Sequence, residues 1–407
     1  MTSSDPTTAQ PTATRPEAPR GEPGVFPSAA RSGGRVDGID GLRTLAVMLV
    51  IVYHFNEGML PGGSIGVDVF YTISGFVITR LLIAEYARTG DIGLRQFYRR
   101  RWLRLVPALL VVCALTAALT LSPLQSFTNG WTAALLAAAS LVNIVRAAQS
   151  GAYSGVTAPL GHTWSLGVEE QFYLLWPPLL LALLRRLSAR TVLVAVSVLA
   201  LLPVLWRFHL WDPTQAHRIY NGPDTRADQL LAGAVLAILL ARLGTDNPWR
   251  RTLGIWAARL WPPALALLCL IAWRVPVTGA GAWTKPVYTV GFLVIALLTV
   301  VLLASLELRP RAPLARLLSL LPLAWVGRNL SYGLYLWHYP LMHALSDLGV
   351  DRMLLPATLG TSFAAALASY YLVEEPCRRF RYRRGGKISS AATPAPAAIE
   401  AVSGRAR

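Results

Sequence analysis

Apolar runs of membrane-crossing length recur from residue 41 to residue 373, and this recurrence limits the possible folds more than any other feature of the chain. A spanning helix needs about 20 mostly apolar residues. The runs fall at 41–57, 66–86, 105–122, 167–184, 191–207, 227–243, 257–273, 287–306, 328–348 and 354–373. The reading is an all-α membrane protein, a bundle of about ten transmembrane helices with no soluble domain. An even number of crossings places both termini on one side.

Of the 407 residues, 54% are hydrophobic and only 14% charged, yet the net charge is +17. The charge is spread as short Arg clusters between apolar segments, with no basic domain, so a nucleic-acid partner is not expected. Topology explains it better: the segments 87–104, 185–190, 242–259, 309–316 and 378–384 hold 21 Lys or Arg, against 6 in the intervening connections. By the positive-inside rule these segments face the cytoplasm. The expectation is therefore a multi-pass cell-membrane protein with cytoplasmic N- and C-termini.

Residues 1–35 and 385–407 are rich in small and turn-forming residues and lack apolar runs, and they read as disordered tails around a folded region at 36–384. The segment 131–148 is almost long enough to span but contains Ser140, Asn143 and Arg146. A crossing there would reverse every later Arg cluster, so it reads as re-entrant or interfacial. Cys113, Cys269 and Cys377 have no pairing or ligand spacing, and no disulfide framework or metal site is expected. Arg in place of Lys, with abundant Ala and Pro, points to a GC-rich bacterial source.

Three apolar segments carry ionisable groups, which are costly in hydrocarbon and mark functional sites by default. The first holds Arg43 and His54 in GLRTLAVMLVIVYHF. Eleven residues apart on a helix, the two lie within roughly 20° of one face and about 16 Å apart along it. With the stated orientation Arg43 is near the cytoplasmic mouth and His54 is deeper. A polar track follows, along which a long anionic cytoplasmic molecule could reach. Arg99, Arg100, Arg101 and Arg104 in QFYRRRWLRLVP add cations suited to phosphate. His54 suits a general base, and Asp68, Glu169 and Glu170 are the acids available to support it. Consecutive positions point about 100° apart on a helix, so one of the two Glu is expected to face the site. Ser331, Tyr332, Tyr335, Trp337 and His338 could line a cavity but read first as packing or an interfacial belt, and ion pairing or helix termination at Pro376 accounts for Glu374 and Glu375.

Six motifs in order resemble the acyltransferase 3 family of bacterial integral-membrane O-acyltransferases: DGLRTLAVMLVIVYHF, GGSIGVDVFYTISGFVIT, FYRRRWLRLVP, HTWSLGVEEQFYLLWP, SYGLYLWHYP and VEEPCRRF. The resemblance implies a ten-helix core and an acyl-CoA donor on the cytoplasmic side, with acetyl-CoA the first choice. The acceptor it implies is a hydroxyl on a sugar-containing molecule, either a cell-surface polysaccharide or a glycosylated natural product such as a macrolide. It also makes Arg43 and His54 a functional motif, with Arg101 and Arg104, adjoined by Arg99 and Arg100, as the second. Some members carry a fused extracytoplasmic hydrolase-like domain or an extra helix, and neither is expected here. In this reading Arg101, Arg104 and Arg43 hold CoA, and His54 deprotonates the acceptor for direct attack or, by the other route, carries the acyl group itself. The competing class is a transporter that uses the same buried groups as an ion or proton path.

Overall fold

A computed structural model of the chain describes residues 34–148, 154–277, 284–350 and 353–379. The expected tails lie almost wholly outside these residues. Among the described residues there is no strand, and seventeen helices follow one another. They are α1 (Asp37–Phe55), α2 (Ile65–Thr89), α3 (Leu94–Leu119), α4 (Gly130–Ala138), α5 (Val142–Ala148), α6 (Ser154–Thr157), α7 (Trp164–Arg186), α8 (Ala189–Leu210) and α9 (Ala216–Asn221). Then come α10 (Pro223–Leu243), α11 (Pro248–Arg274), α12 (Thr284–Pro286), α13 (Phe292–Leu308), α14 (Pro313–Leu318), α15 (Leu321–Asn329), α16 (Ser331–Asp347) and α17 (Leu354–Ser369). Local chemistry sets several boundaries: α2 stops at Gly90, whose φ of 72° is the left-handed cap that glycine adopts without penalty. The Ser188 and Asn247 side chains accept backbone N–H bonds at the starts of α8 and α11.

Six stretches are long and apolar enough to cross a membrane: α1, α2, α3, α8, α11 and the run Thr284–Leu308. The chain is thus a multi-pass membrane protein. The other four expected crossings also form helices, but α16 and α17 have only 17 and 16 residues. Polar groups lie inside α7 (Glu169, Glu170) and α10 (Arg226, Asp228). The count of ten therefore depends on four shorter or more polar helices.

Segment 131–148 forms α4 and α5, bent by 112° at a short break, as either a broken span or a re-entrant loop. Ser140 occupies the break with φ of 57°. The three polar residues that argued against a simple crossing all find internal partners. Gln171 on α7 donates to the Ser140 carbonyl and the Asn143 side-chain oxygen, each at 3.1 Å, and Arg146 donates to Asn221 at 3.3 Å. Irregular backbone at this depth survives only where protein covers it.

The core is held by close backbone contact and by buried ion pairs. A Cβ on Gly75 would stand 1.8 Å from the Leu230 carbonyl oxygen, and one on Gly233 2.0 Å from that of Thr72. Small residues thus let α2 and α10 touch backbone to backbone. Asp68 on α2 accepts from Arg226 on α10 at 3.0 Å, with both side chains essentially inaccessible. Two residues further along α10, Asp228 takes a bidentate pair from Arg207 on α8 at 2.9 and 2.8 Å. At one end of the bundle, Arg80 bonds Glu307 and the Gly34 carbonyl, Arg185 bonds Asp91, Arg250 bonds the Leu240 carbonyl, and Arg328 bonds Asp37. These contacts gather the arginine-rich helix ends on one side.

Removing either member of the Asp68–Arg226 pair leaves a buried, uncompensated charge, which costs about 3–5 kcal/mol. Asp68→Ala and Arg226→Ala are each expected to lower the yield and melting temperature in detergent. The double variant should lose less than the sum of the two. Additive losses would show that the two groups do not stabilise each other.

Candidate active site

Both marked residues of the first helix open onto cavities, and the two cavities lie toward opposite ends of α1. A cavity of about 130 Å³ among α1, α2, α3 and α7 is lined by Arg43, Arg101, Arg104, Glu169, Glu170 and Tyr173, with Tyr332 at its side. Arg101 and Arg104 are three apart on α3 and so share a face. The guanidinium of Arg101 lies over the Tyr173 ring, 3.0 Å from its centroid, and sits 3.1 Å from Glu170 and 3.9 Å from Glu169. Glu169 also accepts hydrogen bonds from the Ser74 and Tyr173 hydroxyls. Arg43 and Arg104 form no ion pair among the described residues, and the buried Nε atoms of Arg43 and Arg101 have no partner. The cavity therefore keeps unanswered positive charge and unused N–H donors, which suits a polyanion.

Arg99 and Arg100 do not line it. Arg99 is exposed, about 200° around the helix from Arg101, and Arg100 is held by Glu85 at 3.4 Å. Both members of the Glu pair reach the cavity, where the spacing had assigned one. The physical reason is Arg101, which stands between the two carboxylates and engages both.

His54 opens on a second cavity of about 660 Å³, walled by Tyr53, Trp164, Trp211, Tyr220, Tyr288 and Tyr339, with Glu57, Arg146, His162, His217 and Lys285 among them. Between the two lies a small void of about 50 Å³ that shares Arg43, Glu169 and Tyr332 with the basic cavity and adds Tyr71, Ser165 and Tyr335. The Tyr335 hydroxyl is bonded to the Ser165 hydroxyl and donates to the His162 carbonyl at 2.7 Å. Its ring lies 5.4 Å from that of His162 and 5.5 Å from that of His338. A polar line therefore runs from Arg43 through Glu169, Ser165 and Tyr335 to the histidines.

None of the acids considered as a partner for His54 contacts it. Asp68 is committed to Arg226, because a buried carboxylate needs a counter-charge. Glu169 and Glu170 lie with the arginines. The neighbour of His54 is instead His338: His54 Nδ1 and His338 Nε2 are 3.1 Å apart. The packing role read for His338 is thus incomplete. Nothing local in the sequence could have paired residues 284 positions apart. His162 was also passed over, although its ring lies 5.1 Å from that of His338 and neither of its nitrogens has a hydrogen-bond partner in good geometry among the described residues. Glu375 pairs with Arg378 and Arg379, whereas Glu374, read in the same way, makes no ion pair among the described residues. Among the described residues no three His, Cys, Asp or Glu side chains are grouped to hold a metal ion.

Comparison with known proteins supplies the family. The model of the family described as Acyltransferase domain matches residues 36–374. The peptidoglycan O-acetyltransferase OatA of Listeria monocytogenes is 32% identical over 358 residues, covering 84% of this chain and 56% of that protein. The O-acetyltransferase OatA of Staphylococcus aureus is 34% identical over 355 residues, covering 84% and 57%. A putative peptidoglycan O-acetyltransferase, YrhL of Bacillus subtilis, is 32% identical over 362 residues, covering 86% and 56%. The chain spans a little more than half the length of these relatives, and no solved structure matches it. With the family model matching residues 36–374 and relatives 32–34% identical over at least 84% of the chain, this protein belongs to the acyltransferase 3 family.

Proposed function

We propose that the chain is a membrane O-acyltransferase that moves an acyl group, acetyl in the first instance, from acyl-CoA to a hydroxyl of a cell-surface glycan. The observation that carries this reading is the placement of a basic cavity and a histidine cavity toward opposite ends of one helix. In this reading the bundle has ten crossings, and its arginine-rich end and both termini face the cytoplasm.

Arg43, Arg101 and Arg104 hold the CoA phosphates. Glu169 and Glu170 position Arg101, and Tyr173 supports it from below. The pantetheine arm follows the polar line toward His54, a distance of about 16 Å along the helix, which suits its length. At the other end the acceptor lies among the Trp and Tyr rings, which offer flat faces to sugar rings. His54 takes the hydroxyl proton as the oxygen attacks the thioester carbonyl, the C–S bond breaks, and the thiolate leaves with CoA. The relatives named for peptidoglycan favour a cell-wall glycan over a glycosylated small molecule. A transporter would leave the family match without an explanation.

His54→Ala is expected to abolish transfer of labelled acetyl groups to glycan while the protein still inserts in membranes; full activity in that variant would falsify the assignment of the base. Arg104→Ala should raise the KM for acetyl-CoA by roughly tenfold or more while kcat changes little, because it removes a charge-assisted contact remote from the reacting carbon. An unchanged KM would place the donor elsewhere.

A further inference from the structure

We infer that His338 is a positioning residue that sets the tautomer of His54; this inference rests on the reading of His54 as the base. The tautomers follow from which atoms can donate. His338 Nδ1 lies 3.1 Å from the Leu334 carbonyl oxygen, one turn earlier on α16. A carbonyl only accepts, so Nδ1 of His338 carries the hydrogen. Nε2 of the same neutral ring is then a bare lone pair, and it lies 3.1 Å from His54 Nδ1. That contact is a hydrogen bond only if His54 Nδ1 donates. The remaining nitrogen of His54, Nε2, therefore holds the lone pair that a general base needs.

The chain Leu334 carbonyl, His338, His54 is thus a directional relay with one consistent assignment of hydrogens. It does the orienting work that a carboxylate does in serine hydrolases, with a neutral group in its place. The substitution suits the surroundings. His338 is fully buried, and a carboxylate there would need a counter-charge of its own. The charged and titratable groups around the pair are Glu57, Arg146, His162 and His343, and among the described residues no carboxylate is hydrogen-bonded to either ring. When His54 Nε2 takes the acceptor proton, the Nδ1–H bond to His338 is kept and becomes charge-assisted. Ring contacts hold the geometry: Tyr339 meets His54 edge-on at 4.8 Å, and His162 and Tyr335 flank His338.

Two amides of different reach provide the test. A Gln oxygen at position 338 extends to where Nε2 lies, whereas an Asn amide extends only to the position of Nδ1. Membranes carrying the full chain would be assayed with labelled acetyl-CoA as donor and peptidoglycan oligosaccharides as acceptor. His338→Gln should retain transfer within several-fold of the wild type. His338→Asn and His338→Leu should each lose roughly 100-fold or more in kcat, with KM for acetyl-CoA little changed. Thermal unfolding in detergent is expected to be alike for the two amide variants, so their difference in rate reports reach and not folding. A residue that only fills space would show Gln and Asn equally active or equally inactive, and either result overturns the inference. Activity in His54→Ala would instead overturn the assignment of the base, whereas an inactive His54→Ala with equal amide variants overturns only the role of His338.

Discussion

The cost of placing charged and polar groups inside an apolar bundle organises this structure. Such groups in the interior need partners within the protein, because lipid offers no hydrogen bonds. Asp68 with Arg226 ties α2 to α10, and Asp228 with Arg207 ties α10 to α8. Glu170 with Arg101 ties α7 to α3, Gln171 with Asn143 ties α7 to α5, and His338 with His54 ties α16 to α1. Non-directional apolar contact alone would let these helices slide or rotate. The polar ties choose one register, and Gly75 and Gly233 let the backbones come close enough to make them.

Against this background the groups left unanswered become informative. Arg43 and Arg104 lack ion-pair partners among the described residues, and both line the basic cavity. His54 lines the aromatic cavity. A structure that satisfies Arg207 fully and buries it completely has no steric or electrostatic reason to leave Arg43 unpaired. Arg43 and Arg104 lie where the proposed chemistry requires the donor, although other buried polar atoms, both side-chain atoms of Gln229 among them, also lack partners among the described residues. Arg226 is a different case: two of its nitrogens lack partners, but its guanidinium sits 3.8 Å from the centroid of the Phe292 ring and 5.0 Å from that of Tyr220, so aromatic faces share its charge.

The site also combines two environments. At the arginine end the walls are charged and open enough for Arg104 to be exposed. At the His54 end they are aromatic. The void between them is small, about 50 Å³, and is lined by Ser165 and Tyr335. A polyanion and a sugar would each meet the end that suits it, and only a thin, flexible segment fits the middle.

The helical membrane class, the position of the main helices and the placement of Arg43 and His54 along one face are legible in the residue order alone. These depend on residue spacing and hydropathy over windows of about 20 residues, which local sequence contains. The special status of segment 131–148 was legible for the same reason, since Ser140, Asn143 and Arg146 interrupt an apolar run. The partners of these groups follow from the packing of the helices. Asp68 looked like a support for His54 but meets Arg226, 158 positions away. The Glu pair joins the arginines and not the histidine, and His338 takes the place expected for an acid. Arg99 and Arg100 share a motif with Arg101 and Arg104 but not a cavity, because helix phase and the Glu85 contact turn them away. Sequence spacing specifies which side chains share a face; which face meets which depends on how ten or more helices satisfy their buried charges together.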